Sequence, residues 1–281
     1  TVQAMTDLGL VSNGPDSTLG NFELDRVNDI ITAIDEQVGS VDVPEGLTAE
    51  DLVTNKYIDP SISFAGSVAR DGAAPAGDVQ PVSAGDLGDC PNPLVIQTDW
   101  FPEPEHGALY NLTAGEGSID GESGRFSGPL AADPSITLEI RAGGPFVGFQ
   151  QTVALMATDS DIFLGYVNTD EAIQNYEDFP TTAVVAPLEI NPQMIMWDPD
   201  TYTIDSWADV KGTEAVVNVF AGAAYTEWLV GSGLVDADQI DPSYDGGPAR
   251  FIAEGGAILQ QGFASQEPFN YENTFTDWGK P

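Results

Sequence analysis

The chain is short of positive charge. Lysine and arginine together number 8 against 45 aspartates and glutamates, a formal net charge of −37. A surface of that sign repels nucleic acid and anionic lipid, which excludes both as partners. Its simplest use is solubility, including in a saline medium where the charges are screened; recruitment of a basic ligand is the other. A single cysteine, Cys90, excludes an intrachain disulfide and reads as a buried apolar thiol or one that pairs outside this chain. One cysteine and one histidine, His106, cannot supply the usual ligands of a zinc site. No apolar run reaches the length of a membrane span, and no signal peptide is visible. Also missing are Gly-x-Gly-x-x-Gly after a strand, a Walker motif, a Gly-x-Ser-x-Gly elbow and the spacing of a calcium loop. No metal and no cofactor is therefore expected. Carboxylates are so many that spacing alone cannot single out a hydrolytic pair.

What is present suffices for a core. Hydrophobic residues make up 42% of 281, enough for one large or two medium domains. Residues 1–64 read as helical: Leu24, Val27, Ile30, Ile31, Ile34 and Val38 recur at helical spacing, with Asn21 as the expected N-cap. Thr48-Ala-Glu-Asp51 has the form of a capping box before a second short helix ending near Tyr57. Residues 65–93 are dominated by Ala, Gly, Pro, Asp and Ser and read as a linker. From residue 94 strands and helices alternate. The expected strands are 94–99, 136–141, 161–167, 182–188, 194–197, 214–220 and 258–263; the expected helices are 104–113, 146–156, 170–177, 222–232, 248–255 and 268–276. This alternation predicts an α/β fold with mostly parallel sheets covered by helices.

The richest stretch is Leu94-Val-Ile-Gln-Thr-Asp-Trp-Phe-Pro-Glu-Pro-Glu-His-Gly107. An apolar strand breaks at Trp100 and Pro102, and an aromatic ring, carboxylates and an imidazole follow. Ligands of open α/β sheets sit where strands end and helices begin. Trp100 can stack a planar ligand or serve as a core or rim tryptophan. Glu105 and His106 open the next helix, where the imidazole bonds a ligand or caps the turn. Asn168, Thr169 and Asp170 end a strand; capping alone accounts for the latter two, while Asn168 is freer to face a cleft. Glu189 and Asn191 lie at an expected crossing between lobes. Ala221-Gly222-Ala-Ala224 allows close backbone approach at a helix start, for an anion, a carbonyl or simply a tight turn.

Several segments follow one another in a familiar order: Leu94–Gly107, Asp161–Asp170, Ala186-Pro-Leu-Glu-Ile190, Ile204-Asp-Ser-Trp-Ala-Asp-Val-Lys-Gly212 and Gln261-Gly-Phe-Ala-Ser-Gln-Glu-Pro-Phe269. In them the chain resembles the periplasmic, or extracytoplasmic, substrate-binding proteins of ABC importers, in the branch for nitrate, sulfonate, taurine and pyrimidine precursors. The resemblance implies a two-lobe fold that closes on a small molecule, with 94–190 as lobe 1 and 191–281 as lobe 2. It implies no enzymatic activity, an importer permease as partner, an extracytoplasmic location, and contact with the membrane only through a lipid anchor absent from this chain. It also places ligand contacts near Glu267 and Tyr271. Residues 1–64 are similar to the family's C-terminal end yet come first, and are expected to pack on lobe 1. The chain thus reads as permuted or rearranged with a middle portion missing, or 1–64 as the tail of an adjacent copy.

Among donors for an anion only Arg141, Lys211 and Arg250 are candidates. Trp100, Glu105, Glu189, Glu267 and Tyr271 suit a neutral or cationic heteroaromatic, pyrimidine-like ligand better. Two alternatives stand beside the binding protein. One is an enzyme of the same fold that makes the thiamine pyrimidine with pyridoxal, for which Lys56, Lys211 and Lys280 are the only lysines. The other is a rearranged module that binds nothing.

Overall fold

The computed structural model describes residues 2–15, 17–63 and 90–280, so the expected linker lies outside the described residues up to residue 89. In chain order the elements are α1 (Val2–Asp7), α2 (Leu24–Gln37), α3 (Ala49–Leu52), β1 (Leu94–Gln97), α4 (Gly107–Tyr110), β2 (Ser118–Asp120), β3 (Arg125–Pro129), β4 (Thr137–Arg141), α5 (Thr152–Thr158), β5 (Ile162–Gly165), α6 (Thr169–Gln174), β6 (Gln193–Met196), α7 (Trp207–Lys211), β7 (Val217–Asn218), α8 (Ala224–Gly231), β8 (Ile240–Asp241), α9 (Ala249–Ala253), β9 (Leu259–Phe263) and α10 (Glu267–Asn273). Short 3-10 turns occupy Pro104–His106, Gly144–Val147 and Ala237–Gln239. The fold is mixed α/β with two sheets. Among the described residues no helix is long and apolar enough to cross a membrane.

The chain forms two compact units, each built from separated segments. One comprises Val11–Phe22 and Glu50–Glu189, and the other Thr1–Leu10, Glu23–Ala49 and Ile190–Pro281. In the first, the β1 unit, strand order is β2-β3-β4-β1-β5. β1 lies between β4 and β5 and runs parallel to both, with Ile96 level with Ile140 on one side and Leu164 on the other. Such a central strand is covered on both faces, which is why Leu94-Val-Ile reads as an unbroken apolar run. Val95 is fully buried on one face of β1; on the other, Ile96, Leu130, Ile136, Leu138 and Ile140 form a core closed by Leu109, Tyr110 and Phe126.

β2 and β3 form an antiparallel hairpin against β4. The expectation of mostly parallel strands is thus corrected for this half of the sheet. The hairpin turns where Asp120 Oδ1 accepts the N–H groups of Glu122 and Ser123, before Gly124 at φ +64°. Its strand residues are all exposed or half-buried, so no apolar periodicity announces them.

In the β9 unit the order is β6-β9-β7-β8, with β9, β7 and β8 parallel and β6 antiparallel to β9. Successive residues of β9 point to opposite faces. Leu259 joins a core with Val217, Val219, Leu229 and Val235. On the other side Phe251, Ile258 and Tyr271 pack with Phe275 and Trp278. The amphipathic helix α2 buries Val27, Ile31 and Ile34. It packs on α8 of this unit, while Val11–Phe22 and the residues from Glu50 onward belong to the β1 unit, so residues 1–64 are shared between the two units. The approach depends on Gly231, where a Cβ would stand 2.0 Å from the Gln37 carbonyl oxygen.

Three further expectations are corrected. Residues 182–188 form no strand; Ala183 makes only an isolated bridge with Val53, and Val185 is exposed. Pro180 and Pro187 confine that apolar run, and proline cannot donate to a ladder. The helix after Thr48 ends at Leu52 rather than near Tyr57, because the next residues pair with Ala183 instead. The residue that caps α2 is Glu23, two positions after Asn21.

Candidate functional site

The parallel strands β4, β1 and β5 end together, and their following loops are tied by the backbone. The N–H of Gly143 donates to the Trp100 carbonyl at 3.0 Å, and that of Gly144 to the Asp99 carbonyl at 3.1 Å. Thr98 Oγ1 donates to the Trp100 carbonyl at 3.0 Å. A Cβ at Gly143 would lie 2.4 Å from the Asp99 carbonyl carbon and the Thr98 oxygen, so only glycine lets the two loops touch. This contact holds the chain at Asp99 and Trp100 in place beyond the end of β1.

His106 is buried, its side chain only 2% exposed, while that of Asp99 is 22% exposed. The imidazole Nδ1 accepts the Glu103 N–H at 3.2 Å, so in the neutral ring the proton sits on Nε2. Nε2 donates it to Asp99 Oδ1 at 2.9 Å. The Tyr166 ring, just past β5, meets the His106 ring edge-on at 5.1 Å, and its hydroxyl donates to the Glu105 carbonyl at 3.3 Å. Burial, reinforced by the Asp99 and Glu105 carboxylates, raises the Tyr166 pKa and keeps the hydroxyl protonated. Glu105 itself is buried.

Glu171, from the first turn of α6, accepts the Val153 N–H at 3.0 Å and so caps the start of α5. Burial, with added repulsion from Asp99 and Asp170, pushes its pKa up to about 7. The neighbouring Thr152 packs its methyl on Gly165 at the end of β5. Its hydroxyl is buried and has no hydrogen-bond partner among the described residues.

An aromatic group is built around Trp100, the residue after Asp99. The Trp100 ring lies 5.8 Å from both Phe101 and Phe149, and Phe101 lies 6.1 Å from Phe146. Phe146 and Phe149 are partly open to solvent, and Phe149 holds a left-handed backbone at φ +61°, unusual for a bulky residue.

Of the residues expected from sequence, Trp100, Glu105, His106, Asn168 and Thr169 all lie at this strand edge. Asn168 is the residue before α6, its backbone N–H donating to Glu171; Thr169 is exposed at the first helical position. Glu189 lies against Gly14 in the same unit, where an added Cβ would stand 3.0 Å from its carboxylate. The remaining four belong to the β9 unit. Asn191 Oδ1 accepts the Gln193 N–H at 2.8 Å as a turn residue. Gly222 lies exposed at φ +83° before α8. Glu267 accepts the Phe263 N–H, and the Tyr271 hydroxyl accepts Gln260 Nε2 at 3.2 Å within the aromatic core. Of the lysines, Lys211 pairs with Asp236 and Lys280 with Asp198, while Lys56 lies over the Tyr57 ring.

Asp99, Thr152, Tyr166 and Glu171 were not among the expected residues. Asp99 and Tyr166 each follow a parallel strand closely, which is the signal that marks them. Nothing in the sequence separates Glu171 from its acidic neighbours, since only its burial distinguishes it. Among the described residues no group of three His, Cys, Asp or Glu side chains is placed to hold a metal ion. Comparison of the chain with protein-family models, with curated proteins and with solved structures gives no match.

Proposed function

We propose that the protein is an extracytoplasmic solute-binding protein that captures a small ligand, without catalysis, and delivers it to the permease of an ABC importer. The observation that carries this reading is the gathering of Asp99, Glu105, His106, Tyr166 and Glu171 at the C-terminal ends of β1 and β5, with Trp100 the residue next to Asp99. Strand ends of this kind are where α/β sheets hold small molecules. The Asp99–His106 bond, the Glu103 N–H and the Gly143 contact fix the groups in advance, which lowers the cost of ordering them on binding. Two α/β units, each around its own sheet, are the parts from which a two-lobed binder is made. Aromatic rings with carboxylates favour a heteroaromatic, pyrimidine-like ligand over nitrate or a sulfonate.

A thermal-shift screen of the purified chain tests the reading with pyrimidines, flavins, aliphatic sulfonates, taurine, nitrate and amino acids. A ligand at about 100 times its dissociation constant adds roughly 2.7 kcal/mol of stability. A clear upward shift with one class is expected. A cooperative melt that no ligand moves would defeat the proposal.

A further inference from the structure

We infer that the strand-end site takes an organic cation bearing N–H donors, with its charged head on Asp99 and its flat apolar body against Trp100 and Phe149, and that His106 is the positioning residue for Asp99. The inference rests on the solute-binding reading and names its ligand class.

Asp99 carries the charge recognition. Its Oδ1 takes the His106 proton, while Oδ2 has no hydrogen-bond partner among the described residues and the side chain is still partly open to solvent. A carboxylate held by one oxygen presents the other at a fixed angle. A donor that meets it makes a charge-assisted hydrogen bond, about twice as strong as a neutral one. The surroundings fix the sign of the ligand. The charges acting on Tyr166 and Glu171 are the carboxylates of Asp99, Glu105 and Asp170, all of one sign. An anion placed there adds repulsion; a cation relieves it.

A second observation is independent of the carboxylates. Thr152, at the same strand edge, is 1% exposed, and its hydroxyl finds no partner among the described residues. A buried hydroxyl left unbonded costs free energy, and a ligand with polar hydrogens answers it. The body of the ligand follows from the residue after Asp99. Trp100 follows Asp99 directly in the chain, its ring meets the partly open Phe149 ring at 5.8 Å, and an aromatic face attracts a cation.

His106 acts through Asp99. Because Nδ1 accepts a backbone N–H, the imidazole has a single proton to give, and it goes to Oδ1. Glutamine places an N–H near the position of Nε2 and preserves that bond, whereas leucine fills the volume without it.

The test is isothermal titration of the full chain with benzamidine, benzamide and benzoate, three flat molecules of one size that differ in charge. Nitrate and taurine extend the series. Titration in about 1 M KCl shortens the Debye length to about 3 Å, which removes the general attraction of an acidic protein for cations. Benzamidine is expected to bind at least about tenfold more tightly than benzamide, the scale of one hydrogen bond to a charged group, with no measurable binding of benzoate. Asp99→Asn, which keeps the shape, loses about tenfold or more of the benzamidine affinity. His106→Leu does the same and His106→Gln restores most of it; a merely structural His106 would not separate these two variants at equal folded stability by urea titration. Unchanged benzamidine affinity in Asp99→Asn overturns the inference. So does tighter binding of benzoate, nitrate or taurine, which leaves the solute-binding reading standing. If nothing in this series binds and the wider ligand screen shifts no melt, both readings fall together.

Discussion

Both sheets end their parallel strands in polar side chains, yet the two ends are balanced differently. In the β9 unit the acid at the end of β8, Asp241, takes the Arg250 guanidinium at 2.6 Å, and the same Arg250 nitrogen also donates to Ser243 Oγ at 2.8 Å. Asn218 Nδ2 donates to the Asp241 carbonyl and to Ser243 Oγ. Gln261 Oε1 accepts both the Phe220 N–H and the Tyr225 hydroxyl. Carboxylate, amides and backbone answer one another within the protein. In the β1 unit, Asp99, Glu105 and Glu171 gather beside a tyrosine, and the polar groups that answer Asp99 and Glu171 are an imidazole and backbone N–H groups rather than a cation. A polar edge with its own counter-charge is complete as it stands. At the β1 edge the cation at the end of β4, Arg141, is taken up by Glu139 and Asp159, and acid gathered at Asp99 and Glu171 with no cation of its own holds unfavourable free energy that a ligand can relieve.

The largest effect should come from closing the space that each unit keeps for a backbone contact. Gly143→Ala drives a methyl into the Asp99 and Thr98 backbone, and Gly231→Ala drives one into the Gln37 carbonyl. Backbone on both sides cannot yield as a side chain does, so each is expected to cost about 3 kcal/mol, at the upper end of overpacking penalties. Urea titration measures the loss. Only Gly143→Ala should also abolish ligand binding. Equal loss of binding in Gly231→Ala would erase the functional contrast between the two units.

Next in size is the pH dependence of the buried acid. The Glu171 pKa stands at about 7 in the folded chain, against the ordinary 4.5. Between those values the folded state keeps a proton that the unfolded state has lost, so stability falls as pH rises from about 4.5 through 7. The full difference is about 3 kcal/mol above pH 7. Glu171→Gln keeps an acceptor for the Val153 N–H without the charge. It should leave stability near pH 4 unchanged, remove this fall, and be the more stable protein at pH 8. A variant whose urea midpoint follows the wild-type pH curve would show that the carboxylate is not desolvated. In the β9 unit the matching change, Arg250→Ala, removes a counter-charge that is about one-third exposed. Its expected cost is only about 1 kcal/mol, without effect on ligand affinity.

The same contrast explains what could be read from the sequence. β1, β4 and β9 were legible because buried strands concentrate apolar residues, β5 by its apolar run Ile162-Phe-Leu although Phe163 and Leu164 are exposed, and α2 because Val27, Ile31 and Ile34 keep helical spacing. The β2–β3 hairpin was not, although Asp120-Gly-Glu-Ser-Gly124 is a turn signal, since Ser118–Asp120 is fully exposed. The short strand β8 was hidden for a different reason: two residues carry no period. At the site, Trp100, Glu105 and His106 were legible by their place after an apolar strand. Their roles were not, because the imidazole turned out to hold a neighbour, Asp99, through a backbone bond that no spacing reveals. Glu171 was invisible because one acid among 45 is marked only by its burial.

The smallest effect on stability comes from Phe149, and it is the sharpest on meaning. A phenylalanine at φ +61° stores about 1 kcal/mol or more of backbone strain. Asparagine tolerates that conformation, so Phe149→Asn recovers part of the strain while it forfeits the ring contact with Trp100 at 5.8 Å. The two changes oppose each other, and the net shift in the urea midpoint should amount to less than about 1 kcal/mol. Benzamidine affinity should nevertheless fall severalfold, because the ring that packs on Trp100 is gone. If stability instead rises and affinity stays constant, the left-handed turn serves the loop that begins at Gly144 and the ring takes no part in binding. The aromatic half of the site would then reduce to Trp100, and the choice of ligand would rest on charge alone.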